Sequence, residues 1–196
     1  MYKLGITGGI GSGKSTAADF FKKYNALIFN ADKEAKKHLK ETTILQNKII
    51  DAFGENVVEN NKLSLKKLAE VAFSSKLEQE ILNGLMWPEV FILVDKAMES
   101  AKKEKVKLFV LDAAMIFEGN FNHMLDRTLL ISTRKNIRLT RALKRKNLHL
   151  EQIQNRMSLQ MPESKKKEMS DYVIENNSSK ENFNKKLLQF YNTLSI

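Results

Sequence analysis

Five short, near-continuous apolar runs punctuate the chain, at Lys3–Thr7, Leu27–Asn30, Val106–Leu111, Thr128–Ser132 and Asp171–Ile174. Runs of this length without strict apolar–polar alternation predict strands buried on both faces, as in a parallel sheet. Between them apolar residues recur at helical spacing. Lys14–Tyr24 puts Ala17, Ala18, Phe20 and Phe21 on one face, and the tail from Ser178 to Ile196 does the same with Phe183, Leu187, Leu188, Tyr191 and Leu194. Strands alternating with helices predict a doubly wound α/β fold with a five-stranded parallel sheet. Ligands of such sheets bind beyond the carboxyl ends of the strands.

From Asp32 to about Lys105 there is no strand signal, only amphipathic stretches at Glu34–Phe53, Ser64–Phe73, Leu77–Leu85 and Pro88–Lys103. That is too much chain for one crossover and predicts a helical insertion capping the sheet edge. Pro88 suits the first position of the last of these helices. Pro162, after an arginine-rich stretch, is expected to interrupt helices there. The resulting division is a core of residues 1–32, 105–135 and 168–196, a helical unit of 33–104, and a segment of 136–167.

A chain of 196 residues that is 42% hydrophobic can bury one substantial core with an insertion. Cysteine is absent, which excludes disulfides and thiolate metal sites, and His38, His123 and His149 lack metal-ligand spacing. No apolar run approaches the ~20 residues needed to span a bilayer, so a cytoplasmic protein without a membrane partner is expected. The net charge of +10 points to anionic partners: nucleic acid, a membrane surface or polyanionic small molecules. Most of that charge is lysine, a common compositional bias of solvated faces. The arginines differ, because Arg127, Arg134, Arg138, Arg141, Arg145 and Arg156 all fall between residues 127 and 156. Arg134, Arg138, Arg141 and Arg145 would form one stripe on a helix, and the guanidinium fork suits phosphate.

The chemistry is announced by Gly8–Ser15, a complete G-x-x-x-x-G-K-[ST] loop between the first strand and the first helix. The bare pattern arises by chance in a chain this long on the order of once in a hundred, and the strand and helix around it make chance rarer still. Glycines let backbone N–H groups converge on an anion, and the helix that follows adds its positive end. Gly11, Ser12, Gly13, Lys14, Ser15 and Thr16 are the expected ATP-binding residues, with Lys14 on the β/γ-phosphates and the Ser15 hydroxyl on Mg²⁺.

Two carboxylates follow at strand ends. Asp32 closes the Asn30-Ala31-Asp32 turn after the second strand, where it can accept a hydroxyl proton or cap the next helix. Asp112 ends Leu108-Phe109-Val110-Leu111, a Walker-B-like pattern whose Asp holds Mg²⁺ or caps the next turn. Glu118 reads as a solvated charge.

These residues carry a resemblance over nearly the whole chain to the dephospho-coenzyme A kinases. The matching series is LGITGGIGSGKST from Leu4, NAD ending at Asp32, FG at Phe53-Gly54, WP at Trp87-Pro88 and LDAAMIFE from Leu111. It continues with RLTRALKRK from Arg138, NRMSLQ from Asn155 and SDYVIENN from Ser170. The resemblance implies an adenylate-kinase-like core, a helical domain that takes the coenzyme A precursor, and a lid at 136–167. It implies catalytic roles for Asp32, as base toward the ribose 3′-hydroxyl, and for Lys14, Arg141 and Arg145 on the ATP phosphates. Asn176 and Asn177 would lie near the adenine, and Thr7, Asp32, Trp87 and Pro88 on the acceptor side. ATP and Mg²⁺ are the cofactors implied, with no nucleic acid and no obligate protein partner.

Three positions depart from the family pattern: Asn30 replaces its usual Asp, Trp87 its usual His and Ala114 its usual Pro. Trp87 leaves two readings, an acceptor contact or core packing, since an indole donates one hydrogen bond and cannot ionise. The rival functions are another small-molecule or nucleoside monophosphate kinase, and a P-loop switch or nucleic-acid-binding protein. Motif order argues against the first; the lack of base-stacking aromatics on the arginine stripe argues against the second.

Overall fold

Each of the five apolar runs forms a strand in the computed structural model, which describes residues 1–145, 149–194 and 196. In chain order the first half contains β1 (Tyr2–Thr7), α1 (Lys14–Lys23), β2 (Leu27–Asn30), α2 (Ala31–Glu41), α3 (Thr43–Phe53), β3 (Val58–Glu59), β4 (Lys62–Leu63), α4 (Leu65–Ala72) and α5 (Lys76–Lys103). The second half contains β5 (Leu108–Asp112), β6 (Arg127–Ser132), α6 (Lys135–Lys144), α7 (Leu150–Ser158), α8 (Glu163–Met169), β7 (Tyr172–Glu175) and α9 (Lys180–Tyr191).

The main sheet is parallel throughout, in the order β2-β5-β1-β6-β7. Successive strands change from one side of β1 to the other, and the phosphate loop emerges from the end of β1 at that switch. Successive strand residues face opposite layers. Leu108 and Val110 of β5 join Leu4, Ile6, Phe21, Phe183 and Leu187 in a core beneath α1 and α9. Phe109 and Leu111 join Val90, Val94, Met98 and Phe117 in a second core on the other face, under α5. A third core, built from Leu39, Leu45, Ile49, Phe53, Val57, Leu68 and Ala72, belongs to the helical unit.

The structure corrects the expected break at Pro88. Leu77–Leu85 and Pro88–Lys103 are one 28-residue helix, α5, with Pro88 in its interior. Proline removes one backbone bond and crowds the carbonyl four residues earlier. That residue is Gly84, and Gly84 and Pro88 are both exposed, so water can meet the freed carbonyl. The helix also changes cores there: Ile81, Leu82, Leu85 and Met86 pack on the helical unit, whereas Trp87, Phe91 and Val94 pack on the sheet. Part of the 33–104 span is therefore packed with the sheet.

Two further details depart from the sequence expectation. The insertion holds an antiparallel two-strand ribbon, β3–β4, turned by Asn60 and Asn61 at φ 51° and 58°. Asn is among the few residues that tolerate this left-handed pair. Glu34–Phe53 is two helices divided at Thr42, which has an extended backbone. Pro162 caps the start of α8, consistent with the expected interruption. Residues 146–148 of the 136–167 segment, including Lys146 of the RLTRALKRK motif, lie outside the described residues. No helix among the described residues is long and apolar enough to cross a membrane.

Candidate active site

The phosphate loop joins β1 to α1 and is fastened from behind. Gly11 and Gly13 adopt φ +78° and +105°, conformations that favour glycine. A Cβ at Gly11 would strike the Arg138 carbonyl, and one at Gly13 the Asn176 side-chain amide. The Ser12 carbonyl accepts two hydrogen bonds, from Thr133 Oγ1 at 3.0 Å and from Asn176 Nδ2 at 2.8 Å. Those donors sit just beyond β6 and β7, so two strand ends hold the loop. Gly13 is the N-cap of α1, and Lys14 to Thr16 form its first turn. Ser15 is exposed and Lys14 partly so.

The acidic side of the cleft lies across β1. Asn30, the N-cap of α2, accepts from the Lys33 backbone N–H at 2.9 Å through Oδ1 and donates through Nδ2 to Asp112 Oδ2 at 2.8 Å. Asp32 therefore is not the cap; it is exposed in the first turn of α2. Asp112 is only 3% exposed. Burial pushes its carboxyl above the ordinary range, Lys14 pulls it down, and the charge of Asp32 pushes it up again. The mutual influence of Asp112, Lys14 and Asp32 marks one electrostatic site. A hydroxyl at Ser15 with carboxylates at Asp112 and Asp32 is a hard-oxygen donor set, the chemistry Mg²⁺ requires.

The arginine stripe forms on α6 with unequal exposure. Arg134 and Arg145 flank the helix at its ends and are exposed, while Arg138 and Arg141 are largely covered. Arg138 lies against Gly9 and pairs with Glu163 at 3.5 Å. Glu163 also accepts from Ser132 Oγ at 2.6 Å and from the Thr133 N–H at 3.2 Å. The Arg141 Nη1 is buried with no partner among the described residues. A cleft of about 410 Å³ opens beside the loop, lined by Gly9, Lys135, Arg138, Asn155, Gln160 and Lys166. Gln160 Oε1 accepts from the Ile10 N–H at 3.4 Å, which ties the end of α7 to the loop.

Several expected roles change on this geometry. Thr7, expected on the acceptor side, is fully buried and its hydroxyl donates to the Ala114 carbonyl at 3.1 Å, so it braces the strand. Asn176, expected near the adenine, is 5% exposed with its amide on Ser12. Asn177 Oδ1 accepts from the Arg134 N–H at 2.8 Å, which seats the start of α6. Trp87 is partly buried against the sheet core that includes Ala31, and Pro88 beside it is exposed.

Glu118 is no solvated charge. Its side chain is 7% exposed and pairs at 2.9 Å with Lys166, which is 2% exposed. Glu118 Oε1 also accepts from the Met161 N–H at 3.0 Å, and Lys166 Nζ donates to the Ala114 carbonyl at 2.7 Å. Burial lowers the Lys166 pKa and the Glu118 charge raises it in part. Nothing in the run Lys165-Lys166-Lys167 distinguishes the buried lysine by residue type; only its phase on α8 does.

The family model described as dephospho-CoA kinase matches residues 2–182. The dephospho-CoA kinase of Salinibacter ruber is 33% identical over 192 residues, covering 97% of this chain and 96% of the relative. That of Bacillus licheniformis is 31% identical over 193 residues, covering 98% and 96%. Among solved structures, a Thermus thermophilus protein aligns over 100% of this chain and 98% of its own at TM-score 0.80 and 29% identity. Dephospho-CoA kinase from Campylobacter jejuni aligns over 97% and 95% at TM-score 0.68 and 26% identity. A shikimate kinase from Bacteroides thetaiotaomicron, over 100% and 99% at TM-score 0.53 and 13% identity, shares the fold.

Proposed function

This chain belongs to the dephospho-CoA kinase family, and from that membership we propose how its residues divide the work of moving the ATP γ-phosphoryl to the ribose 3′-hydroxyl of dephospho-CoA. The observation that carries the reading is the pairing of a fastened phosphate loop with a carboxylate, Asp32, relieved of capping duty by Asn30.

ATP binds with its phosphates on the N–H groups of residues 11–16 and on Lys14. Because Asn176 and Thr133 already hold the Ser12 carbonyl, the loop is ordered before nucleotide arrives, which limits the entropy lost on binding. Asn176 then serves the nucleotide through the loop. Ser15 and Asp112 would hold Mg²⁺, whose charge, when bound, offsets that of the β- and γ-phosphates.

Dephospho-CoA is taken from the helical side, where Trp87 packs next to the start of α2. Asp32 accepts the 3′-hydroxyl proton as the oxygen–phosphorus bond forms in line with departure of the β-phosphate oxygen, leaving coenzyme A and ADP. Lys14 and Arg141 spread the developing charge, and Arg145 joins them when 136–167 closes as a lid. Closure excludes water that would otherwise hydrolyse ATP.

Product analysis after incubation with ATP, Mg²⁺ and dephospho-CoA tests the reading. Coenzyme A and ADP in equal amounts are expected; ADP alone, or preference for a nucleoside monophosphate acceptor, would reject it.

A further inference from the structure

Arg156 stands apart from the other arginines. It lies on α7, whose Gln154, Asn155 and Ser158 face the phosphate-loop cleft. At 100° per residue, Arg156 projects from the opposite side of the helix to Gln154 and Ser158. There its guanidinium carbon sits 4.3 Å from the ring centroid of Phe73, at the C-terminal end of α4 in the helical unit. The contact joins the arginine-bearing segment to the helical unit.

Arg127 and Arg138 have carboxylate partners, Asp171 and Glu163. Arg156 has no carboxylate or hydrogen-bond acceptor among the described residues, although burial lowers its pKa. The ring offers the cation its electron-rich face but no hydrogen-bond acceptor, so it leaves the guanidinium N–H donors unsatisfied. A partly desolvated cation with open donors is costly unless an anion completes it.

We propose that Arg156 is a specificity-determining residue for the acceptor: its N–H fork binds the 5′-diphosphate of dephospho-CoA, with Phe73 as the plate that holds the fork in place. The proposal rests on the functional reading above, in which the helical unit takes the acceptor. The diphosphate fits because it is the acceptor's anionic group and it is separate from the ATP phosphates on the far side of α7.

Steady-state kinetics of Arg156→Met, Arg156→Lys and Phe73→Leu test this, with thermal melts to verify folding. Removing a charged hydrogen bond should raise KM for dephospho-CoA about tenfold or more in Arg156→Met. KM for ATP should stay within about twofold of the wild-type value, since no ATP contact is lost. Arg156→Lys should recover part of the loss, and Phe73→Leu should raise the acceptor KM less than Arg156→Met. An unchanged acceptor KM in Arg156→Met, an equal rise in both KM values, or a lower melting temperature with both KM values unchanged would overturn the proposal. A wild-type protein that makes no coenzyme A would instead remove the functional reading and this inference with it.

Discussion

Asn30 joins a helix start to a buried acid: one end of its amide caps α2 and the other donates to Asp112 Oδ2 at 2.8 Å. An aspartate at position 30 could still cap but could not donate when ionised. Asn30→Asp should therefore move the acid limb of the kcat profile to higher pH, because Asp112 would lose a donor and gain a like charge. Asn30→Ala should leave that limb less displaced and cost about 1 kcal/mol through the lost cap, read by urea denaturation.

Asp112 supplies a second pH prediction. Its native pKa lies above the ordinary 3.8, chiefly through burial. The stability it contributes is thus full below the unfolded value and lost as pH rises through the native one. Once ionised, the carboxylate is a net cost. Asp112→Asn, which keeps an acceptor for Asn30, should raise the melting temperature at pH 7 and lower kcat. At pH 3 the gain in stability should shrink; a constant gain at both pH values would count against this account.

Asp32→Asn separates chemistry from folding. Asp32 is exposed and does not cap, so the change should alter stability by no more than about 1 kcal/mol, the scale of a carboxylate near a helix N-terminus. Transfer to dephospho-CoA should fall by about 10²- to 10⁴-fold, with ATP affinity by calorimetry nearly unchanged. Retention of more than a tenth of wild-type kcat would move the base elsewhere, with Asp112 next in line.

Arg141 has a buried donor with no partner in the described chain. Arg141→Ala should reduce kcat/KM by about 10²-fold or more, the scale of a lost charge-stabilising donor, and should not lower the melting temperature of the nucleotide-free protein. Near-wild-type kinetics would remove Arg141 from the residues proposed to act on the phosphates.

Lys166 and Glu118 predict a thermodynamic asymmetry. Lys166→Met leaves a buried carboxylate alone and should cost about 3–5 kcal/mol in urea denaturation. The double change Lys166→Met with Glu118→Leu removes both charges and should cost less than the single one. If the double variant is the less stable, the pair contributes more than it costs to bury.

Much of this was legible from residue pattern. The five strands follow their apolar runs to within two residues at each end; β1, β5 and β6, buried on both faces, leave such runs little alternative, and the edge strands β2 and β7 pair onto them. The phosphate loop is local, so its spacing suffices. Pro88 misled because the rule that a proline ends a helix ignores whether the freed carbonyl can be hydrated, which depends on how α5 lies in the fold. The Asn60-Asn61 turn was readable in principle from two left-handed-tolerant residues between Val58 and Leu63, but its strands are too short to stand out. Glu118 and Lys166 were hidden for another reason. They are 48 positions apart in sequence, and only tertiary packing turns two charges of a lysine-rich chain into a buried pair.

The fastening of the Ser12 carbonyl ties nucleotide affinity to an edge strand, β7. β7 is an edge strand, paired on one side only, with β6, and it exposes Tyr172 and Val173. Yet Asn176, one residue beyond β7, supplies one of the two donors on the loop. Fraying of β7 withdraws that donor, so when ATP is bound the energy of binding is added to the cost of fraying. Occupancy of the loop by ATP must in return slow hydrogen exchange at the β7 amides, in a strand the nucleotide need not touch.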